Sequence, residues 1–427
     1  SVMAEQMKPS GIDWIGDIPK SWKVTRLQTL FDQVKDKNSG TKEKNLLSLS
    51  YGKIVKKDIE GAFGLIPESF DTYNIIKKND IVLRLTDMQN DQVSLRTGLV
   101  KEEKGIITSA YVTIRLKCGS PSYYHWYLYA FDTSKQIYAF GQGVRQSLTF
   151  EELKKMLILL PSPKEQQAIA DFLDEECAQI DSIAADLEKQ IVLLQQYKKS
   201  LITETVTKGL DKSAPMKDSG VEWIGKIPEH WQKTRIKFEA SIIGSGTTPD
   251  SGNSMYYDNG EHSWIQSGDL YGKDYIYETE KQLTNLAILE CHALNWYTKD
   301  FVVVAMYGAS VGNVAISKID SFTNQACCVI KLNEKNDNRY LFYFLKAAQE
   351  EMLLKAFGGT QPNISQIIIK NLNFLNVPLL EQIEIADFLD SKCDMINEML
   401  KSKKDQYDIL IKHKKSLIYE YVTGKKE

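Results

Sequence analysis

Six cysteines in 427 residues, with no Cys-x-x-Cys among them, supply no regular disulfide or zinc framework. A reducing cytoplasm is the expected setting for such a chain. Histidine is scarcer still. Its five residues are dispersed, and His292 beside Cys291 is a lone pair without further metal ligands nearby in sequence. Apolar runs are short: none approaches the roughly 18–20 residues that span a bilayer, and the first residues lack the basic-then-apolar pattern of a secretion signal. The expectation is a protein with no membrane partner. An excess of one charge is also missing, since 53 Lys and Arg meet 56 Asp and Glu for a net charge of −3. Only local patches can therefore speak for or against nucleic acid.

Catalytic motifs are missing as well. "GVEWIGK" (220–226) has the spacing of a phosphate-binding loop, but Ile227 stands where Ser or Thr should meet magnesium. Its counterpart "GIDWIGD" carries Asp17 at the lysine position, which excludes both copies. "FGQG" (140–143) is not set in a strand–GxGxxG–helix unit. No Asn-Pro-Pro-aromatic or Asp-Pro-Pro-Tyr tetrapeptide of amino-methyltransferases occurs, and Glu102-Glu103-Lys104 lacks the preceding acid a nuclease needs. The expectation is a non-catalytic chain that binds no cofactor or metal of its own.

What the sequence does contain is repetition. "SGIDWIGDIPKSW" (10–22) returns as "SGVEWIGKIPEHW" (219–231), with Trp14 and Trp22 recurring 209 positions on as Trp223 and Trp231. "EQQAIADFLDEECAQID" (165–181) returns as "EQIEIADFLDSKCDMIN" (381–397), and "KKSLITETVT" (198–207) as "KKSLIYEYVT" (414–423), both 216 positions on. Between the copies lie two stretches that barely resemble each other, about 23–160 and 232–377. The plan is a copied frame around two unlike inserts. Because the last copy ends the chain while its twin runs straight into "SGVEWIG", the order reads as a ring cut once. That order places the first Trp phrase near the end of the last frame segment. At 427 residues, with 43% hydrophobic and 26% charged residues, two or more globular domains are expected. The segments are 1–22 (frame), 23–160 (first domain), 161–210 (central helix), 211–231 (linker and repeated phrase), 232–377 (second domain) and 378–427 (C-terminal helix).

The segments after each insert have helical periodicity. Leu173, Cys177, Ile180, Ala184, Leu187, Ile191 and Leu194 follow alternating steps of four and three, as do Leu389, Cys393, Ile396, Leu400, Lys403, Tyr407 and Leu410. Such a stripe is a narrow seam for another helix. Lys403 stands where the first copy has Leu187, and a lone polar seam residue commonly sets pairing. Cys177 and Cys393 share one seam position and are read as small apolar residues. Prolines 163 and 378 suit the helix starts, Gly209 and Gly424 the exits. Pro161 precedes Glu165 by four residues and Pro378 precedes Glu381 by three, so the two starts differ slightly. A helix of about 40 residues extends roughly 60 Å. Two such helices in tandem most simply pair with each other, antiparallel.

The inserts are rich in β-type runs, "DIVLRL" (80–85), "AYVTIRL" (110–116), "FVVVAMYG" (301–308) and "ACCVIKL" (326–332), with a helical stretch at 340–357. The expected fold class is α+β: two domains with curved sheets and short helices, separated by two long antiparallel helices in an intramolecular coiled coil, with pseudo-two-fold symmetry. Gly, Ser, Thr, Asn, Gln and Tyr fill the loops between strands. Such loops allow close backbone approach, bidentate bonds to bases and hydrogen bonds to phosphates.

"WIG-IP--W" before each insert, "LPSPKEQQAIADFLD" and "VPLLEQIEIADFLD" after them, and the endings "KKSLI-E-VT" resemble the specificity subunit of type I restriction–modification systems. "GTTP", "YGASVGN", "GGTQPNIS" and "FGQGVRQSLTFEELKKMLILLPSP" are similar to that family's recognition regions, so the resemblance covers nearly the whole chain. It implies two target-recognition domains that each read half of a bipartite site in double-stranded DNA. It further implies two methyltransferase subunits docked on the helical frame, joined by restriction subunits. S-adenosylmethionine, ATP and Mg2+ would then be used by those partners. The residues expected to contact DNA are Tyr51, Lys53, Arg84, Gln142, Arg145 and Gln146 in the first domain, and Ser245, Thr247, Thr248, Tyr307, Ser310, Asn313 and Gln361 in the second. Three other readings stay open on the residues: the specificity chain of a related two-subunit type II system, a protein-only coiled-coil scaffold, and a self-contained enzyme, against which the missing motifs argue.

Overall fold

The fold is that of a computed structural model, which describes residues 6–57, 69–88, 95–139, 147–356 and 363–426. By internal packing the chain divides into unit 1, Ser1–Glu188 with Lys404–Glu427, and unit 2, Lys189–Lys403. The division passes through both long helices, Pro163–Lys208 and Leu379–Val422. Each unit therefore owns the beginning of one long helix and the end of the other.

In unit 1 the first Trp phrase is a small hairpin, Met7–Pro9 against Asp17–Pro19. Gly11 and Gly16 both have positive φ where the chain reverses, a conformation that costs glycine least. The hairpin delivers two tryptophans. Trp14 sets its ring 5.7 Å from those of Tyr127 and Phe131, and its carbonyl accepts the Tyr419 hydroxyl at 3.0 Å. Trp22, 3% exposed, donates its indole N–H to Glu165 Oε1 at 2.9 Å. The Trp phrase thus binds the start of one long helix and the end of the other, as the ring-like order predicts. Gly424, at φ +70°, makes this fit: a Cβ there would stand 2.5 Å from Pro19 Cδ.

Immediately beyond the phrase, Lys23–Arg26 pairs antiparallel with Leu157–Leu160. The first and last strands of the insert are therefore neighbours, and the insert is a closed excursion from the frame. Its body is a four-stranded antiparallel sheet, Phe31–Gln33, Val112–Leu116, Ile81–Leu83 and Thr97–Leu99 in that spatial order. Two further pairs, Asn74–Lys77 with Lys104–Ile107 and Leu47–Ser50 with Lys53–Lys56, complete it. The helix Pro121–Thr133, N-capped by Ser120, presses Tyr123, Tyr124 and Tyr127 into a core shared with Trp22, Leu173, Cys177, Ile180, Ile418 and Val422.

Unit 2 repeats the frame with its own residues. Met216–Asp218 pairs with Lys226–Pro228, and Gln232–Arg235 with Asn373–Asn376. Trp231 donates to Glu381 Oε2 at 2.9 Å, and Gly209 at φ +70° leaves 3.2 Å between an added Cβ and the Trp231 ring. Despite the unequal proline spacing, each helix start delivers a glutamate to the equivalent indole of its own unit. The insert differs. Its main sheet has five strands, ordered Ala240–Ser245, Cys327–Leu332, Phe301–Ala305, Val314–Ser317 and Tyr275–Ile276. A bulge between Ala240 and Ile242 interrupts its edge. A smaller three-stranded sheet joins Gln282–Leu283, His262–Ile265 and Phe322–Thr323. The expected helix at 340–357 is two helices, Asn338–Ala347 and Gln349–Leu354, breaking at the fully buried Ala348.

Of the seam residues, Leu173, Cys177, Ile180, Ala184, Leu187, Leu389, Cys393 and Ile396 are buried. Ile191, Leu194, Leu400, Lys403, Tyr407 and Leu410 are half-buried. The buried ones lie toward each helix start, where Leu173, Cys177 and Ile180 join the core of unit 1 and Leu389 and Cys393 that of unit 2. In unit 1 the two helices run antiparallel, since Phe172 meets Tyr421 and Asp181 meets Lys414. Burial pushes the Cys177 thiol up to about 12, with no thiolate to offer redox chemistry near neutral pH. Among the described residues, no helix is long and apolar enough to cross a membrane.

Candidate nucleic-acid interface

Unit 2 gathers its candidates at one end of the five-stranded sheet. Register dictates this: Ser245 lies opposite Cys328, Cys328 opposite Val304, and Val304 opposite Val314. The loops that leave those strand ends, 245–248, 306–313 and 324–326, must be neighbours. Gly246 is required by the closeness, because a Cβ there would sit 1.6 Å from the Thr323 carbonyl oxygen. Thr247 N–H donates to that carbonyl at 3.0 Å, and the Thr247 carbonyl accepts the Trp264 indole at 3.3 Å. The Ser245 carbonyl accepts from Asn295 Nδ2 and the Tyr297 hydroxyl at 3.1 and 3.0 Å. Thr248 hydrogen-bonds Gln325 through their side chains.

The second loop, 306–313, turns on Gly308 and Gly312, both with positive φ. Asn313 N–H donates to the Ser310 carbonyl at 2.9 Å. Tyr307 is half-buried, and burial holds its hydroxyl above the ordinary tyrosine value. Ser310 is only 5% exposed. Asn313 also lines a cleft of about 600 Å3 with Lys198, Lys273, Asp274, Tyr277 and Lys346, a lining in which cations outnumber acids. Gln361 lies outside the described residues. Ile364 N–H donates to the Met306 carbonyl beside this loop at 2.7 Å.

Unit 1 spreads its candidates over two places. The Leu47–Ser50 and Lys53–Lys56 strands meet in a two-residue turn whose central residues, Tyr51 and Gly52, both have positive φ. This is the primed turn that suits hairpin twist. It leaves Tyr51 87% exposed at the tip. Lys53 turns to the frame helix and pairs with Asp181 at 3.5 Å. Arg84 begins the other place, the loop after strand Ile81–Leu83. Here Thr86 bridges Ser147 and Leu148 N–H donates to the Leu85 carbonyl at 2.8 Å, the same join that Ile364 makes in unit 2. Gln142, Arg145 and Gln146 lie outside the described residues.

Sequence reasoning missed Arg96. Fully buried, it donates from Nη1 to the carbonyls of Arg84 and Thr86 at 3.1 and 2.8 Å, and from Nε to the Tyr138 hydroxyl at 3.0 Å. Its guanidinium lies 5.5 Å from the Tyr138 ring centre. An arginine in a polar stretch looks like a phosphate contact, yet this one fixes the shape of the loop that Arg84 starts. Gln325, Asn295 and Tyr297 support their loop in the same way in unit 2. Their only signal is the Gly-x-Gly spacing of residues 244 and 246, which marks a backbone under close approach. Among the described residues, no group of three or more His, Cys, Asp or Glu is placed to hold a metal ion.

The sequence profile described as "Type I restriction modification DNA specificity domain" matches residues 19–192 and again 228–406. The chain is 25% identical to the putative type I restriction enzyme MjaX specificity subunit of Methanocaldococcus jannaschii, over 96% of this chain and 95% of that one. It is 24% identical to the MjaVIII specificity subunit of the same organism, over 96% and 93%. A chain from a solved type I R-M system, described for complex assembly and conformational transition, shares the fold with a TM-score of 0.71 at 14% identity, covering 95% of this chain and 98% of that one. Two profile matches, one for each copy of the frame and its insert, place this chain in the family of type I restriction–modification DNA specificity subunits.

Proposed function

We propose that each unlike domain reads one half of a bipartite site in double-stranded DNA, and that the two long helices hold the two readers as an antiparallel coiled coil with pseudo-two-fold symmetry. One observation carries this reading: the indole–glutamate bond and the strand pair that closes the insert in unit 1 both recur in unit 2, while the described sheets mounted on them differ in strand order and loops. A repeated mount with dissimilar heads suits two different half-site sequences. Tyr51 and Arg84 in the first domain, and Thr247, Thr248, Tyr307 and Asn313 in the second, are the described residues proposed to face bases or phosphates. Gln142, Arg145, Gln146 and Gln361 join them on sequence grounds.

The frame serves a second role as a scaffold. Ile183, Val192, Leu193 and Tyr197 on the first long helix, with Met395, Met399 and Ile409 on the second, are each about half or more exposed. Large apolar residues in that state on one pair of elements support protein docking. Two methyltransferase subunits would bind there, with restriction subunits joining them, and those partners would use S-adenosylmethionine, ATP and Mg2+. This chain would supply sequence choice and hold none of these cofactors, working in the cytoplasm.

The test is to assemble the chain with its methyltransferase and map methylated adenines on random-sequence duplexes. A two-part motif is expected, and Thr248→Ala should blur one part only. DNA affinity should fall steeply with salt, as phosphate contacts require. A complex that binds DNA with no salt dependence, or shows no sequence motif, would reduce the chain to a protein scaffold.

A further inference from the structure

The repeated "KKSLI" phrase carries a lysine that both units bury. In unit 1 this is Lys414, whose side chain is 10% exposed, and in unit 2 it is Lys198, at 17%. Moving an ammonium group out of water is unfavourable unless a counter-charge comes with it. The two units find that charge in different places.

In unit 1 the frame supplies it. Lys414 pairs with Asp181 on the facing frame helix. The insert contributes rings, with the Lys414 ammonium 5.8 Å from the centre of Trp126 and 6.0 Å from that of Tyr129. In unit 2 the frame position of Asp181, 216 residues on, is Asn397. Its Oδ1 accepts from Lys198 Nζ at 2.8 Å but brings no charge. Among the described residues, the carboxylate paired with Lys198 is that of Asp274, at 3.5 Å, and Asp274 belongs to the insert.

The insert helices can be aligned by their own contacts. Tyr123 donates its hydroxyl to the Val422 carbonyl, and Tyr340 donates to the Val206 carbonyl. Six residues further on stand Tyr129 in the first insert and Lys346 in the second. The second insert thus adds another cation at the buried site, and Asp274 pairs with Lys346 as well. Burial acts to raise the Asp274 carboxyl, but the Lys346 and Lys198 ammonium groups outweigh it and hold the carboxyl below its ordinary value.

We propose that the Asp181/Asn397 difference is a placement code for the inserts. The frame of unit 1 neutralises its own lysine and makes no demand on the domain it carries. The frame of unit 2 accepts a domain that brings its own carboxylate to Lys198. Among the described residues, no acid of the first insert pairs with Lys414, and this insert brings Lys53, which pairs with Asp181 at 3.5 Å. Mounted on the second frame, it would set Lys53 beside Lys198 and an uncharged Asn397.

The full-length chain tests this by a double-mutant cycle. Asp274→Asn should lower the melting temperature by roughly 4–8 °C, with hydrogen-exchange protection lost around 198–206 and 340–346. Adding Asn397→Asp should recover at least half of that loss, because it recreates the frame acid of unit 1. If Asp274→Asn yields no folded chain, recovery of folding by Asn397→Asp gives the same answer. No effect of Asp274→Asn, or no recovery by Asn397→Asp, overturns the proposal. A second measurement replaces residues 232–377 by 23–160. The exchanged chain should lose protection in the second frame and regain it with Asn397→Asp; equal protection with either residue overturns the proposal too.

Discussion

Asp174 and Asp390 occupy the same turn of the two copied helices, yet they bind different chemistry. Asp174 accepts from the Ser122 hydroxyl and the Trp126 indole, both at 2.8 Å to Oδ1. Asp390 meets the Arg339 guanidinium at 2.9 Å and the hydroxyls of Tyr343 and Tyr275 at 2.7 and 3.1 Å. Nine residues earlier in each helix, the indole–glutamate bonds are alike at 2.9 Å. A copied helix position thus keeps its contact where both partners recur, as Glu165 and Trp22 do, and exchanges it where the partner differs, as Asp174 and Asp390 do.

The largest break comes from the shared bonds. Trp231→Ala and Trp22→Ala each delete a large, fully or almost fully buried ring and leave a glutamate without its indole donor. Each should cost about 3–5 kcal/mol. Exchange protection should fall in unit 2 for the first and in unit 1 for the second. Equal losses in both units from either variant would mean that the frame is one cooperative body. The unshared bonds come next. Asp390→Asn weakens a charged contact and should cost about 2 kcal/mol, whereas Asp174→Asn, with neutral donors, should cost about 1 kcal/mol. Matching values would remove the distinction drawn above. Arg96→Met should leave carbonyls of the 84–87 loop without a donor, costing about 2–3 kcal/mol and weakening one half-site alone. The loops of unit 2 turn on glycines and should keep their reading.

The frame was legible because it is said twice. Repetition located Trp22, Glu165, Leu173 and their twins, and periodicity alone marked the seam. The join of each insert's ends, Lys23–Arg26 with Leu157–Leu160, left no signal, since pairing across 130 residues depends on the core that forms between. The candidate site was half legible. Glycine spacing pointed to the 244–248 and 306–313 loops, which the sheet register does bring together. Lys53 and Ser310 show what composition leaves open, since Lys53 pairs with a frame carboxylate and Ser310 is buried in its turn. Arg96 is a cation whose burial no local pattern announces. Side-chain direction is decided by tertiary packing, and residue type does not encode it.

The smallest expected effect concerns the carboxyl at the first helix start. Glu165 is partly buried, which acts to raise its carboxyl, but hydrogen bonds from the Ser162 side chain, the Trp22 indole and the Ser162 backbone hold it below the ordinary glutamate value. A carboxyl lowered in the folded state stabilises the fold above its unfolded pKa. That contribution disappears as pH falls through the lowered folded value, so the window lies below about pH 4.5. Because Glu165 is only partly buried, its share should stay under about 1 kcal/mol. Glu165→Gln keeps an acceptor for Trp22 but cannot titrate. Melting curves of both proteins at pH 5.5 and pH 3.5 should therefore show the substituted chain losing less on acidification, with the saving confined to exchange protection in unit 1. An equal loss in the two proteins would show that the glutamate's charge contributes nothing and that its role is to orient the indole.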